Sequence, residues 1–120
     1  MKPFVKSFTI NLKKWGHASE RNAVSGLLRD ADTGKQCCLG IYLSACGYDA
    51  DDLDGEASNP AGTLDGLDFW ANTWPNKKAE QPADIARELA QVNDAAMKLP
   101  RRKALIAEGF KKLGVKVRFV

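Results

Sequence analysis

Apolar residues recur at every second position near both ends of this chain, and that constrains its fold more than any other feature. Phe4, Phe8, Ile10 and Leu12 share one face, interrupted by Lys6, while Val5, Ser7, Thr9 and Asn11 face the other way. Near the far end Val115, Val117 and Phe119 alternate with Lys116 and Arg118. A period of two is the signature of a strand with one face buried, so each end is expected to be a half-buried strand. Two strands in a domain of this size gain most by sharing one sheet.

Between the ends the periodicity becomes helical. From Cys38 onward Leu39, Tyr42, Leu43 and Cys46 fall on one face, and Gly47 stands where a glycine ends a helix in a left-handed conformation. Pro82 suits a first helical turn, Asp84 favours the positive end, and Ile85, Leu89, Val92 and Ala96 form an apolar stripe that Leu99-Pro100 stops. A further helix is expected from Arg101 to Leu113, with Ile106, Phe110 and Leu113 inward and Lys111 and Lys112 at its negative end; Gly114 then releases the last strand. The expected fold is α+β, a small antiparallel sheet of the N- and C-terminal strands packed by about three helices near 38–46, 82–97 and 101–113. The 120 residues are expected to form one domain.

The other segments are less regular. Val24–Arg29 and Lys35–Cys37 fit the arms of a short hairpin or an irregular turn around Asp30–Gly34. Residues 48–66 read as a long acidic loop. Of the aromatic residues that follow, Trp70 suits a core, whereas Trp74, beside Pro75 in a polar stretch, is expected at the surface.

Apolar residues make up 44% of the chain and charged residues 28%, which argues against both disorder and a membrane span. Met1–Lys6 spaces its charges too closely for the apolar region of a secretory signal. With three cysteines, an odd number, the expectation is a reducing cytoplasm and free thiols. Charge is segregated along the chain. Residues 1–29 carry six basic groups against one acid, residues 30–94 four against thirteen, and residues 95–120 eight against one. Joining the ends would produce a bipolar surface.

No constellation points to chemistry. Cys37, Cys38, Cys46 and His17 are the soft metal ligands, but zinc sites want two ligand pairs at short spacing, and adjacent cysteines diverge in direction. Cys38 and Cys46 are expected to be buried. A thiol nucleophile needs a base, and His17, the one histidine, is expected in an exposed linker. Aligning Gly55 with the invariant glycine of a calcium loop leaves Ala50 and Ala61 at two ligand positions. No catalytic residue, metal or cofactor is therefore assigned, and the chain reads as a non-enzymatic protein.

Two binding surfaces suggest themselves. Asp49, Asp51, Asp52, Asp54 and Glu56, with Trp74, form a candidate contact surface for a protein partner. Lys13, Lys14, Arg101, Arg102, Lys103, Lys111 and Lys112 form a candidate nucleic-acid surface if the ends adjoin. Neither a zinc finger nor a glycine-rich phosphate loop accompanies the basic residues.

The order Gly26-Leu27-Leu28, Cys37-Cys38-Leu39-Gly40, Trp70-Ala71, Asn93-Asp94 and Ala104-Leu105-Ile106-Ala107 resembles a family of small phage and prophage proteins. The N-terminal strand, the acidic loop and the final strand depart from that pattern. The family brings no catalytic residue with it. The resemblance implies a phage or mobile-element accessory protein of the bacterial cytoplasm, which binds a protein of the host or of an anti-phage defence complex. This functional step rests on analogy with other small phage proteins.

Overall fold

The computed structural model describes residues 4–16, 35–48 and 74–120. Along the chain these form β1 (Ser7–Ile10), α1 (Cys38–Ala45), α2 (Pro82–Asp94), α3 (Leu99–Lys112) and β2 (Lys116–Phe119). The hairpin arm Val24–Arg29, His17, the acidic loop and Trp70 lie outside the described residues. Lys35–Cys37, the other arm, pairs with the segment after β1. Gln36 donates to the Lys14 carbonyl at 2.9 Å, and Gly16 donates to the Gln36 carbonyl at 2.8 Å, an isolated parallel bridge.

β1 and β2 form a two-stranded sheet, but the strands are parallel, which corrects the antiparallel expectation. Ser7 pairs with Lys116 and Ile10 with Phe119. Alternation reports which residues face inward and carries no information about strand direction. The chain enters β2 through the turn at the end of α3. The Val115 N–H donates to the Phe110 carbonyl at 2.9 Å and the Gly114 N–H to that of Lys111 at 3.0 Å. This is a Schellman closure, with Gly114 at φ 86°. A Cβ at Gly114 would also lie 2.6 Å from the Asn76 backbone nitrogen, so both conformation and space demand glycine. The same closure ends α1 through Gly47 and Tyr48.

The inward residues of β1, Phe8 and Ile10, are buried, and so are Ile106, Phe110 and Leu113 of α3. α1 departs from its expected one-sided stripe. Cys38, Leu39, Gly40, Ile41, Tyr42 and Leu43 are buried in succession, so this helix lies inside the domain with apolar contacts all round. Tyr42 centres an aromatic cluster: it stacks on Trp74 with ring centroids 5.2 Å apart and meets the edges of Phe4 and Phe8. Its hydroxyl donates to the Val5 carbonyl at 2.7 Å, which satisfies the polar end of the ring.

α2 ends at Asp94 rather than near residue 97, and its buried face is Ala86, Leu89, Ala90 and Asn93, with Ala96 exposed. Leu99-Pro100 does not stop α2; it opens α3. A proline in the first turn costs no hydrogen bond, because the N–H it lacks would have no helical partner there.

Candidate functional site

Two charged or polar side chains of the described region are wholly buried, and both hold elements together. Asn93 accepts from the Trp15 indole N–H at 2.6 Å and the Cys38 backbone N–H at 3.1 Å through Oδ1. Its Nδ2 donates to the Gly16 carbonyl at 2.9 Å. One amide thus ties α2 to the segment after β1 and to the start of α1. Arg102 belongs to the inward stripe of α3, one turn before Ile106. Its Nη1 donates to the carbonyls of Val92 and Asn93, and its Nη2 to those of Ala95, at 2.6 Å, and Met97, at 3.1 Å. The guanidinium occupies the negative end of α2, where a cation and its donors are best placed. Burial lowers its pKa, and the charge of Asp94 opposes that.

Arg102 is therefore not available to phosphate, which corrects its place in the basic surface. Trp74 is only 2% exposed, which removes it from the protein-contact surface. Its ring turns away from the polar stretch around it and joins Tyr42 and Phe4, at 4.8 Å from the latter. Asp49, Asp51, Asp52, Asp54 and Glu56 lie outside the described residues.

The three thiols are buried, Cys37 as well as the expected Cys38 and Cys46. Seven residues lie between Cys38 and Cys46, and eight helical steps span about 12 Å. Burial pushes the Cys37 thiol up to about 12 and raises Cys38, with its neighbour Cys37 adding to the effect, and Cys46. Thiolate is the reactive species, so a maleimide is expected to modify the native protein slowly and all three cysteines at once in denaturant, read by mass spectrometry. Rapid labelling of the native protein would reopen metal and redox roles. The sign with pH follows. The Cys37 thiol is neutral in both states below its ordinary value of 9.0, and above that it ionises first in the unfolded chain. Its contribution to stability is complete at neutral pH and is lost as pH climbs from about 9 toward about 12.

Five basic residues, Lys6, Lys103, Lys111, Lys116 and Arg118, gather around β2. Residues 103, 107 and 111 of α3 form a row one step round from its buried stripe, and β2 runs beside them. The Lys103 ammonium lies 5.6 Å from the centre of the Phe119 ring. At the other end a groove of about 550 Å³ opens between α3 and β2, lined by Lys6, Ala107, Lys111, Val115, Lys116 and Val117. Its floor is apolar and three lysines stand around it. Lys116 and Arg118 are exposed on the outer face of the sheet, beside Ser7 and Thr9. Lys13, Lys14 and Arg101 are also exposed, whereas Lys112 lies on the opposite side of α3 in a cleft against α2. The structure thus brings Lys103 and Lys111 together with Lys6, Lys116 and Arg118, and leaves Lys112 apart.

The backbone adds a second feature. Lys116 donates to the Lys6 carbonyl at 2.9 Å, Val120 to that of Ile10 at 3.0 Å, and Leu12 to that of Val120 at 2.9 Å. In a parallel ladder alternate residues bond to one neighbour, so the N–H and C=O groups of Val117 and Phe119 point away from β1. The described sheet has no third strand. Among the described residues nothing pairs with the outer edge of β2, which runs next to the groove.

Among the described residues no helix is long and apolar enough to cross a membrane. Comparison of the chain with protein-family models, with curated proteins and with solved structures gave no match.

Proposed function

We propose that this protein is a non-enzymatic binding domain that grips an acidic protein partner on the basic groove between α3 and β2. The carrying observation is the combination at one place of an apolar floor, Ala107, Val115 and Val117, with Lys6, Lys111 and Lys116 around it. Apolar surface ringed by one sign of charge suits a protein partner: the floor contributes affinity, while the lysines speed association and select an acidic surface. The resemblance to phage proteins supplies the setting, a bacterial cytoplasm in which the partner is a host or anti-phage defence protein.

A second reading, nucleic-acid binding, draws on the exposed Lys13, Lys14, Arg101 and Arg118. It is the weaker one, because every aromatic ring among the described residues is buried or half-buried, which leaves no stacking platform there for bases.

The experiment pairs a pull-down from bacterial lysate with anisotropy on DNA and RNA over a salt series. The expected result is a saturable protein partner that a Lys111→Glu/Lys116→Glu variant loses at least tenfold, with its unfolding midpoint unchanged. No saturable partner, or equal retention by the variant, would overturn the proposal. Tight binding to nucleic acid that weakens steeply with salt would put the second reading in its place.

A further inference from the structure

We infer that the partner is bound by strand addition: an extended segment with alternating acidic and apolar residues pairs with the open edge of β2. This deepens the protein-binding reading and rests on it. Three observations meet at this edge. The N–H and C=O groups of Val117 and Phe119 point outward from a two-stranded sheet, so an incoming backbone finds donors and acceptors at strand spacing. The groove lies alongside that edge, and Ala107, a small residue on the α3 row, leaves room over Val115 and Val117. On the same strand Lys116, which also borders the groove, and Arg118 alternate with these apolar residues and are exposed.

Successive side chains of an added strand point to opposite sides. Every second residue would enter the groove against Ala107 and Val117, where apolar side chains fit. The residues between would lie beside Lys116 and Arg118, where carboxylates are favoured as cross-strand neighbours. Lys6 and Lys111 would meet a further acid at the groove end. Four residues of β2 span about 13 Å, enough for a segment of four to six residues.

The same charges argue against a second copy as occupant. Two β2 edges brought together would set Lys116 and Arg118 against their own kind, and edge lysines are a common guard against self-pairing. The acidic partner relieves that repulsion.

The test uses the intact protein and a fluorescent eight-residue peptide of alternating glutamate and valine. Two further peptides carry backbone N-methyl groups on the glutamates alone or on the valines alone, and a fourth replaces glutamate by lysine. The expected result is saturable binding of the first peptide, slowed hydrogen exchange at the Val117 and Phe119 amides, and no binding of the lysine peptide. One N-methylated peptide should lose at least tenfold in affinity while the other binds nearly as well, because only alternate N–H groups face β2. Loss with the valine set would indicate an antiparallel addition and loss with the glutamate set a parallel one. Equal binding of both N-methylated peptides, equal loss of both, or unchanged exchange at Val117 would overturn strand addition. So would failure of the first peptide to bind, or protection of Val117 that grows with protein concentration alone. The protein-binding reading would then stand or fall separately on the lysate partner.

Discussion

Replacing Arg102 with methionine should lower the unfolding free energy by about 2–5 kcal/mol, because several main-chain carbonyls lose a charged donor together. Methionine keeps much of the stem volume, so the loss comes from the guanidinium and not from a cavity. Four main-chain carbonyls, those of Val92, Asn93, Ala95 and Met97, lose this donor together. Against a typical total of roughly 5–15 kcal/mol, that is a large fraction. Lysine at 102 should recover only part, since one ammonium cannot reach the carbonyls that two guanidinium nitrogens share. Urea unfolding with a common m-value measures both variants. A methionine variant with the wild-type midpoint would show that water replaces the guanidinium without cost.

Asn93→Leu should cost about 2–4 kcal/mol, because it strands buried groups on two other segments. The Trp15 indole N–H, the Cys38 N–H and the Gly16 carbonyl all use this amide. Asn93→Asp is the more revealing change. It keeps the acceptor that Trp15 and Cys38 need but exchanges the donor facing Gly16 for an oxygen, close to the carboxylate of Asp94. We expect it to be destabilising also, with the Trp15 indole proton still protected from exchange in the folded fraction. In the leucine variant that protection should fall. Unchanged protection with leucine at 93 would mean that the indole has another acceptor.

Both residues show where reading the chain alone reaches its limit. Periodicity located Ile106, Phe110 and Leu113 on the buried face of α3, and Arg102 lies on that same face one turn earlier. Its charge led to the opposite expectation, because a lone arginine is ordinarily solvated, and the carbonyls that hold it come from another helix. Asn93 stands four residues after Leu89 on α2, so a polar residue on an apolar stripe was the available signal. The expected stripe of Ile85, Leu89, Val92 and Ala96 shares only Leu89 with the buried face of Ala86, Leu89, Ala90 and Asn93. Trp74 misleads for a similar reason: its neighbours are polar, but the ring packs on residues distant in sequence. Pairing of the two ends followed from alternation, whereas strand direction depends on how the intervening helices are arranged in space, which alternation does not encode. The binding groove was legible only in pieces. Lys103 and Lys111 were among the basic candidates, while Lys6 looked like a flaw in a strand pattern, and the open edge has no sequence signature.

The parallel pairing of β1 with β2 also orders events in time. Partners such as Ser7 and Lys116 come from opposite ends of a 120-residue chain. During synthesis β1 emerges more than a hundred residues before β2, and its edge is unmatched until then. Closing so long a loop delays the reward of its contacts, so folding should be slow beside a helical bundle of equal length. A nascent chain that stops short of Gly114 lacks the whole second strand and leaves the first one without its neighbour.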